Sequence, residues 1–184
     1  MKRAADVIIT LFGLPFALPV TLLCMVVVRL TSPGPAIFRQ IRVGLHEAPF
    51  VCFKLRTMYV DTRDAPSHET KASAVTPAGA LLRRLKLDEL PQLWNILRGE
   101  MSFVGPRPCL PSQTELIEAR RIRGLYEVLP GITGVAQVAG IDMSDPIKLA
   151  QRDAEYLSTM SLGTDLRLII ATAFGAGRGD RIQS

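Results

Sequence analysis

Two adjacent carboxylates and a conformationally restricted arginine lie near the middle of this 184-residue chain. Asp88 and Glu89 stand side by side, and Arg107 lies between two prolines in the Gly-Pro-Arg-Pro segment 105–108. An arginine held between prolines presents its guanidinium fork in a fixed direction, which suits a phosphate or a carboxylate. Each feature alone has a simpler explanation, a helix cap for the acids and a surface contact for the arginine. Together they indicate a site for a metal-bound phosphate ester.

The apolar spacing places the two carboxylates at the start of a helix. Pro91 fits only a first helical turn, apolar residues recur at 90, 93, 94 and 97, and Gly99 is a typical stop. Free N–H groups and the helix dipole favour negative charge there. Adjacent helical residues point about 100° apart, so the pair cannot flank a sugar as glycosidase carboxylates do. The two can act on one phosphate, one attacking phosphorus and the other helping to hold a divalent metal.

Positive side chains are predicted beside this block. Segments 37–43 and 50–58 predict a β-hairpin that places Arg39, Lys54 and Arg56 together, and at least two of these are expected to form a solvated basic face. Thr76 and Pro77 predict the start of a helix, to about residue 85, that carries Arg83, Arg84 and Lys86 towards Asp88. Lys54, Arg83 and Arg107 are therefore the candidate phosphate-binding residues.

A glycine-punctuated loop and the helix after it supply further candidates. Backbone N–H groups of segment 130–137 can approach a phosphate or sugar, although a tight structural turn is the simpler explanation. Asp145-Pro146 predicts another helix, to about residue 158. Five residues from these two segments are possible substrate-pocket residues: Gly131, Thr133, Gln137, Asp153 and Tyr156.

An uncharged apolar segment precedes all of these elements. Residues 7–28 are long enough to cross a hydrocarbon core of about 30 Å. Pro15 and Pro19 interrupt the middle, and both flanks are positive, which places both ends on the cytoplasmic side by the positive-inside rule. From the residues alone, a re-entrant helix and a spanning helix are about equally favoured. Segments 111–128 and 166–174 predict an amphipathic helix and a short apolar helix that is either core or interfacial.

Composition limits the class of protein further. The length predicts one domain, and the net charge of +5 suits nucleic acid, an anionic membrane or a phosphorylated substrate. No helix-turn-helix, zinc-finger or RNP-like motif is present, so nucleic acid is not an expected partner. Three widely spaced cysteines have neither metal nor disulfide spacing, which favours a reducing compartment.

Three motifs carry a resemblance that covers nearly the whole chain. They are F-K-L-R-T-M at 53–58, L-D-E-L-P-Q-L-W-N-I-L-R-G-E-M-S-F-V-G-P-R-P at 87–108, and L-P-G-I-T-G-V-A-Q-V at 129–138. In this order they resemble the bacterial sugar transferases, the monotopic phosphoglycosyl transferases, in their small single-domain form. The resemblance implies transfer of a phosphosugar from a UDP-sugar to polyprenol phosphate, usually undecaprenyl phosphate, with release of UMP and a requirement for Mg²⁺.

Position by position, the resemblance assigns roles to the central residues. It implies that Asp88 is the nucleophile that forms a phosphosugar-aspartyl intermediate, that Glu89 acts beside it with Mg²⁺, and that Arg107 and Arg83 bind phosphate. The expected fold is mainly α with a small β-hairpin (α+β). It comprises a re-entrant membrane helix over 1–32, broken at Leu18-Pro19, and a catalytic domain over 33–184 with interfacial helices. The expected location is the cytoplasmic face of the bacterial inner membrane.

Two positions depart from the family pattern, and two other functions compete with this one. Leu18 stands where relatives often have serine, and Val135 where many have an aromatic residue, so the kink and the substrate pocket differ in detail. A membrane-anchored basic adaptor without activity would explain the charge and the anchor. A phospholipid head-group transferase would explain the acidic pair. The sugar, the glycan pathway and the oligomeric state are left open.

Overall fold

Helices make up most of the chain, and two small sheets connect them. The computed structural model describes residues 1–62 and 71–177, so 63–70 and 178–184 of the predicted catalytic domain lie outside the described residues. The helices are α1 Lys2–Thr31, α2 Pro77–Arg84, α3 Gln92–Arg98, α4 Thr114–Ile122, α5 Val135–Val138, α6 Pro146–Thr159 and α7 Leu162–Ala173. The strands are β1 Ile37–Val43, β2 Pro49–Leu55, β3 Ser102–Val104 and β4 Gly131–Thr133. The predicted mainly helical class with a small hairpin is confirmed.

The predicted hairpin forms from β1 and β2, and a second sheet accompanies it. β1 and β2 pair antiparallel from Ile37 opposite Leu55 to Val43 opposite Pro49, so β2 ends three residues before the predicted end at Met58. β3 and β4 pair in parallel, a contact the sequence did not predict because three-residue strands are too short for a detectable alternation. The predicted solvated basic face is wrong: Arg39 is exposed, but Arg56 is buried and Lys54 is largely covered.

The helices next to the central block are close to those predicted, with one correction. α2 begins at Pro77 behind Thr76, whose hydroxyl accepts from Gly79 N at 3.0 Å. α3, however, begins at Gln92, and the two acidic residues precede it in a 3₁₀ turn, Leu87–Glu89. Asp88 and Glu89 therefore lie before the seven-residue α3 and not in its first turn, and no side chain caps the start of α3. Gly99 ends α3 with φ of 82°, as predicted.

The apolar face predicted for α3 is also partly wrong. Trp94 is 57% exposed, whereas Asn95 and Ile96 are fully buried. Asn95 Oδ1 accepts from Phe53 N at 3.1 Å and its amide nitrogen donates to Val51 O at 2.7 Å, so the helix is attached to β2 through a buried amide. A buried amide that satisfies a strand edge is not visible in a hydrophobic pattern.

Helix α1 is the apolar segment, and it is attached to the rest of the protein at both ends. It is the one helix among the described residues that is long and apolar enough to cross a membrane, and an 18-residue window within it has a mean hydropathy of 2.4. At its start Asp6 Oδ1 accepts from Phe103 N at 3.3 Å, and Arg3 donates to Leu97 O at 2.9 Å. At its end Val28 is buried, and Arg56 donates to the carbonyl of Ser32 at 3.0 Å.

The middle of α1 is exposed and continuous. Phe12 and Phe16 are 77% and 78% exposed, and α1 has no buried residue between Thr10 and Cys24. The interruption expected at Leu18-Pro19 is not confirmed, since the helix runs through both Pro15 and Pro19. Thr21 donates its hydroxyl to the carbonyl of Ala17 at 2.7 Å, so a polar side chain bonds to a helix carbonyl between the two prolines.

Gly131 shows what the glycine-punctuated loop contributes to the fold. A Cβ there would lie 2.1 Å from Gly105 N and 2.5 Å from Thr133 O, because β4 lies directly against the segment that follows β3. We expect Gly131→Ala to lower the free energy of unfolding by about 2–3 kcal/mol, since backbone atoms cannot yield as side chains do. Denaturant or thermal unfolding in detergent measures this.

The matched control is Gly163→Ala in α7. A Cβ at Gly163 meets nothing closer than Ser161 Oγ at 3.9 Å. Alanine is preferred over glycine inside helices by about 0.5–1 kcal/mol, so this variant should be unchanged or slightly more stable. Equal stability of both variants would contradict the close approach at Gly131.

Candidate active site

One cleft brings together the acidic pair, the restricted arginine and part of the glycine-punctuated loop. Its walls come from the end of α2, the 3₁₀ turn, the segment after β3, β4 with α5, and the end of α7. Eleven residues line it: Arg83, Lys86, Asp88, Glu89, Arg107, Ile132, Thr133, Gln137, Thr172, Ala176 and Gly177. Six of these were predicted as site residues from the sequence.

Glu89 joins two of the predicted cations. Its Oε1 accepts from Arg107 Nη2 at 2.6 Å and lies 3.3 Å from Lys54 Nζ. The side chains of all three residues are only 15% or 16% exposed, so water screens these charges weakly. Glu89 therefore fixes the direction of both cations at one end of the cleft, and the hairpin contributes to the site through Lys54.

Asp88 is the more buried of the two acids, with 8% of its surface exposed. In the described part of the chain, no side chain hydrogen-bonds to its carboxylate. Burial raises the pKa of Asp88 above its usual value, Lys54 opposes this, and the neighbouring Glu89 charge raises it further. A carboxylate that accepts few hydrogen bonds is a better nucleophile than one that accepts several. This holds provided that nearby cations keep the carboxylate ionised.

Two buried polar atoms in the cleft residues lack partners within the described chain. Arg83 donates from Nε to Thr57 Oγ1 at 2.8 Å, but its Nη1 has no acceptor. Gln137 donates from Nε2 to the carbonyl of Ile132 at 2.9 Å, which fixes the amide orientation and leaves Oε1 without a donor. Unsatisfied buried polar atoms are costly, and two beside one cleft indicate that a ligand completes this site.

The cleft also includes two polar residues that were not among the predicted site residues, although Lys86 was predicted to lie near Asp88. Lys86 adopts a left-handed conformation with φ of 57° and donates from Nζ to the carbonyls of Thr172 and Ala176 at 3.1 and 2.9 Å. Burial lowers its pKa, although Glu89 opposes this. The position of Lys86 directly before the acidic turn was an available signal. Thr172, whose hydroxyl lies 2.5 Å from that of Thr133, ends an apolar helix and gives no such signal.

Three predicted pocket residues do not line the cleft. Gly131 is buried against the backbone of Gly105. Asp153 is buried in an ion pair with Arg120 at 2.6 Å. Tyr156 donates its hydroxyl to Asp165 at 2.6 Å, and burial and this carboxylate raise its pKa well above the usual range. Contacts within the fold account for the burial of all three residues, and none of them lines the cleft.

The acidic pair fits a magnesium ion that is completed by substrate. The described residues contain no group of three or more acidic, histidine or cysteine ligands. Mg²⁺ is, however, commonly bound through one or two carboxylates together with substrate phosphates and water. Asp88 and Glu89 provide that donor set beside a cleft whose other charged groups, Arg83, Lys86 and Arg107, are cationic.

Comparison with known proteins gives the class of this protein and then its family. A family model described as bacterial sugar transferase matches residues 1–178. The UDP-glucose:undecaprenyl-phosphate glucose-1-phosphate transferase of Caulobacter vibrioides is 39% identical over 180 residues, which cover 93% of this chain and 67% of that protein. The protein is therefore an enzyme of the transferase class. It belongs to the bacterial sugar transferase family.

Two further relatives show how much of each protein is shared. The uncharacterized sugar transferase EpsL of Bacillus subtilis is 38% identical over 173 residues, covering 94% of this chain and 85% of the relative. The UDP-glucose:undecaprenyl-phosphate glucose-1-phosphate transferase of Escherichia coli is 38% identical over 185 residues, covering 95% of this chain and 39% of the relative. The match thus covers nearly all of this chain in both comparisons, but most of EpsL and well under half of the longer Escherichia coli protein.

Proposed function

We propose that this protein transfers a sugar phosphate from a UDP-sugar to undecaprenyl phosphate, with release of UMP, as the first membrane step of glycoconjugate assembly. The observation that carries the proposal is Asp88 in a cleft with three cations, Arg83, Lys86 and Arg107. Such a cleft suits a diphosphate, and an adjacent carboxylate suits attack on phosphorus. The names of two relatives, which combine UDP-glucose with undecaprenyl phosphate, support the substrate classes.

The reaction proceeds in two displacements at one phosphorus atom. A carboxylate oxygen of Asp88 attacks the phosphorus that carries the sugar, and the bond from this phosphorus to the bridging oxygen breaks, so UMP leaves. A phosphate oxygen of the lipid then attacks the same phosphorus, and the bond to Asp88 breaks. The products are a polyprenyl-diphosphate sugar and the regenerated carboxylate. Neither step needs an oxidant or a further co-reactant, so positioning and charge neutralisation supply the catalysis.

The other cleft residues bind and orient the diphosphate. Arg107, fixed by Glu89, and Arg83, with an unsatisfied buried nitrogen, are placed to bind phosphate oxygens. Their positive charge lowers the pKa of Asp88 and so opposes part of the increase that burial causes. Mg²⁺, held by Asp88 and Glu89, would neutralise further diphosphate charge when bound.

A panel of UDP-sugars tests the proposed function. UDP-glucose, UDP-N-acetylglucosamine and UDP-N-acetylgalactosamine are incubated with undecaprenyl phosphate, Mg²⁺ and the protein in detergent, and UMP is measured. At least one donor should release UMP beyond one equivalent per enzyme, and only when the lipid is present to regenerate Asp88. Absence of UMP from every donor favours the adaptor, whereas turnover of a nucleoside-diphosphate-alcohol favours the phospholipid head-group transferase.

We further propose that α1 is re-entrant at the cytoplasmic face of the inner membrane. A straight 30-residue helix is about 45 Å long, so a spanning α1 would place its two ends on opposite membrane faces. Here Asp6 and Ser32, near opposite ends, both bond to the same globular part. The exposed apolar middle is then the part immersed in lipid. Exposed apolar residues along α7, at 166, 170 and 174, support an interfacial position for that helix.

Cysteine labelling tests this topology. Ala4→Cys and Pro35→Cys are both exposed positions at opposite ends of α1, and the native Cys24, Cys52 and Cys109 are buried. We expect a membrane-impermeant maleimide to label both introduced cysteines in inside-out vesicles and neither in intact cells. Leu18→Cys, in the exposed middle, should resist the reagent from both sides. Labelling of positions 4 and 35 from opposite sides would refute the re-entrant arrangement.

A further inference from the structure

The segment that carries Arg107 is held by its backbone as well as by its side chain. The carbonyls of four consecutive residues, 106 to 109, each accept a hydrogen bond from a different part of the fold. The donors and distances are Gly131 N to Pro106 O at 3.0 Å, Arg120 Nη1 to Arg107 O at 2.7 Å, Arg42 Nη1 to Pro108 O at 2.9 Å, and Val43 N to Cys109 O at 3.0 Å. A loop with every carbonyl bonded in this way has a single backbone conformation.

Two of these donors are buried arginines, and each has its own partner. Arg120, from α4, is 2% exposed, and its second terminal nitrogen donates to Asp153 Oδ2 at 2.6 Å. Arg42, from β1, is 9% exposed and donates from Nε to Gln40 Oε1 at 2.9 Å. Each guanidinium therefore bridges a fixed partner on one side and a carbonyl of the loop on the other, which only a planar fork of donors can do.

Buried charges of this kind are a poor way to gain stability. Removing a guanidinium and a carboxylate from water carries a large desolvation cost, and apolar residues of similar size often stabilise a protein as well or better. The two arginines instead fix the backbone geometry, because one binds the carbonyl of Arg107 and the other binds the carbonyl of Pro108, the next residue. Pro106 and Pro108 restrict the same backbone further.

We propose that Arg120, held by Asp153, and Arg42, held by Gln40, are positioning residues for Arg107 in sugar-phosphate transfer. The proposal rests on the proposed function, and it explains the predicted pocket residue Asp153, which lies behind the cleft. In the observed backbone position the Arg107 guanidinium donates to Glu89 Oε1 at 2.6 Å. Displacement of a binding group by about 1 Å can lower a rate about a hundredfold.

A double-mutant cycle tests whether Arg120 acts through Arg107. Arg120→Lys keeps the buried charge next to Asp153 but removes the fork that also reaches the carbonyl of Arg107. We expect it to lower kcat/KM for UMP release by about tenfold in the wild-type background and by less than twofold when combined with Arg107→Ala. A role in general stability would lower kcat/KM by the same factor in both backgrounds, and that result would overturn the proposal.

Two further measurements test the positioning role even if Arg120→Lys does not fold or if the proposed reaction is wrong. Hydrogen exchange of residues 103–109 should become faster in Arg120→Lys, and unchanged exchange would overturn the proposal. If this variant does not fold, Arg42→Lys is put through the same cycle with the same expected result. Arg121→Lys is the matched control, since Arg121 is the neighbouring, half-exposed arginine on α4. A wild-type protein that releases no UMP refutes the proposed function, whereas an active wild type with additive variants refutes only the positioning role.

Discussion

Asp88→Asn should lower the rate of UMP release by about a thousandfold or more while making the ligand-free protein more stable at neutral pH. The loss of rate follows because an amide is not a nucleophile towards phosphorus, and removing a covalent nucleophile typically costs several orders of magnitude in kcat. The side chain keeps its size, so the cleft keeps its shape. Single-turnover release of UMP without lipid acceptor should also disappear, since this first displacement uses Asp88 alone.

The gain in stability follows from the sign of the pKa shift. Burial raises the pKa of Asp88 above the ordinary value of 3.8, so the folded protein favours the neutral acid more than the unfolded chain does. As pH rises through the folded pKa, ionisation of the buried group therefore removes stability from the parent. Asparagine never ionises. The variant's advantage is present above the raised folded pKa, and it disappears as pH falls below 3.8.

The stability measurement distinguishes a catalytic carboxylate from a helix cap. Thermal unfolding in detergent without substrate or Mg²⁺, at pH values above and below the transition, compares the parent with Asp88→Asn. Asp61→Asn, at an exposed acid, is the control and should change neither rate nor stability. A less stable Asp88→Asn protein, or one that releases UMP near the parental rate, would contradict a strained catalytic role for Asp88.

The sequence predicted the elements that carry the site better than it predicted their contacts. Thr76 and Pro77, Gly99, and Asp145 marked helix ends correctly, because caps and stops depend on local chemistry. The predicted start of α3 was wrong because a 3₁₀ turn, Leu87–Glu89, precedes Pro91. The same residue types are found in a 3₁₀ turn and in the first turn of an α-helix.

Contacts between distant segments account for the remaining differences. Arg56 looked like part of a basic surface but is 6% exposed and donates to the carbonyls of Pro35 and Ser32, which follow α1. Asp153 looked like a pocket residue but pairs with Arg120. In both cases a charged residue is buried because it bonds to a partner that is distant along the chain. A single sequence gives no signal of that pairing.

Glu89→Gln is the second change for which we expect a large effect. The substitution removes the charge that holds Arg107 at 2.6 Å and Lys54 at 3.3 Å, and it weakens one of the two proposed ligands of Mg²⁺. We expect kcat/KM for UMP release to fall about a hundredfold, with a higher Mg²⁺ concentration needed for half-maximal rate. A Mg²⁺ titration of the initial rate, at saturating donor and lipid, measures both quantities.

The dependence on Mg²⁺ separates two roles that Glu89 has in this cleft. If Glu89 only fixed Arg107, the rate would fall without a change in the Mg²⁺ requirement, and the proposed metal ligation would be refuted. If it also binds the metal, excess Mg²⁺ should restore part of the rate, because mass action compensates for weaker binding. Glu115→Gln, at an exposed glutamate on α4, should leave both the rate and the Mg²⁺ requirement unchanged. A neutral side chain at position 89 that changed neither quantity would remove Glu89 from the active site altogether and leave Asp88 as the proposed carboxylate.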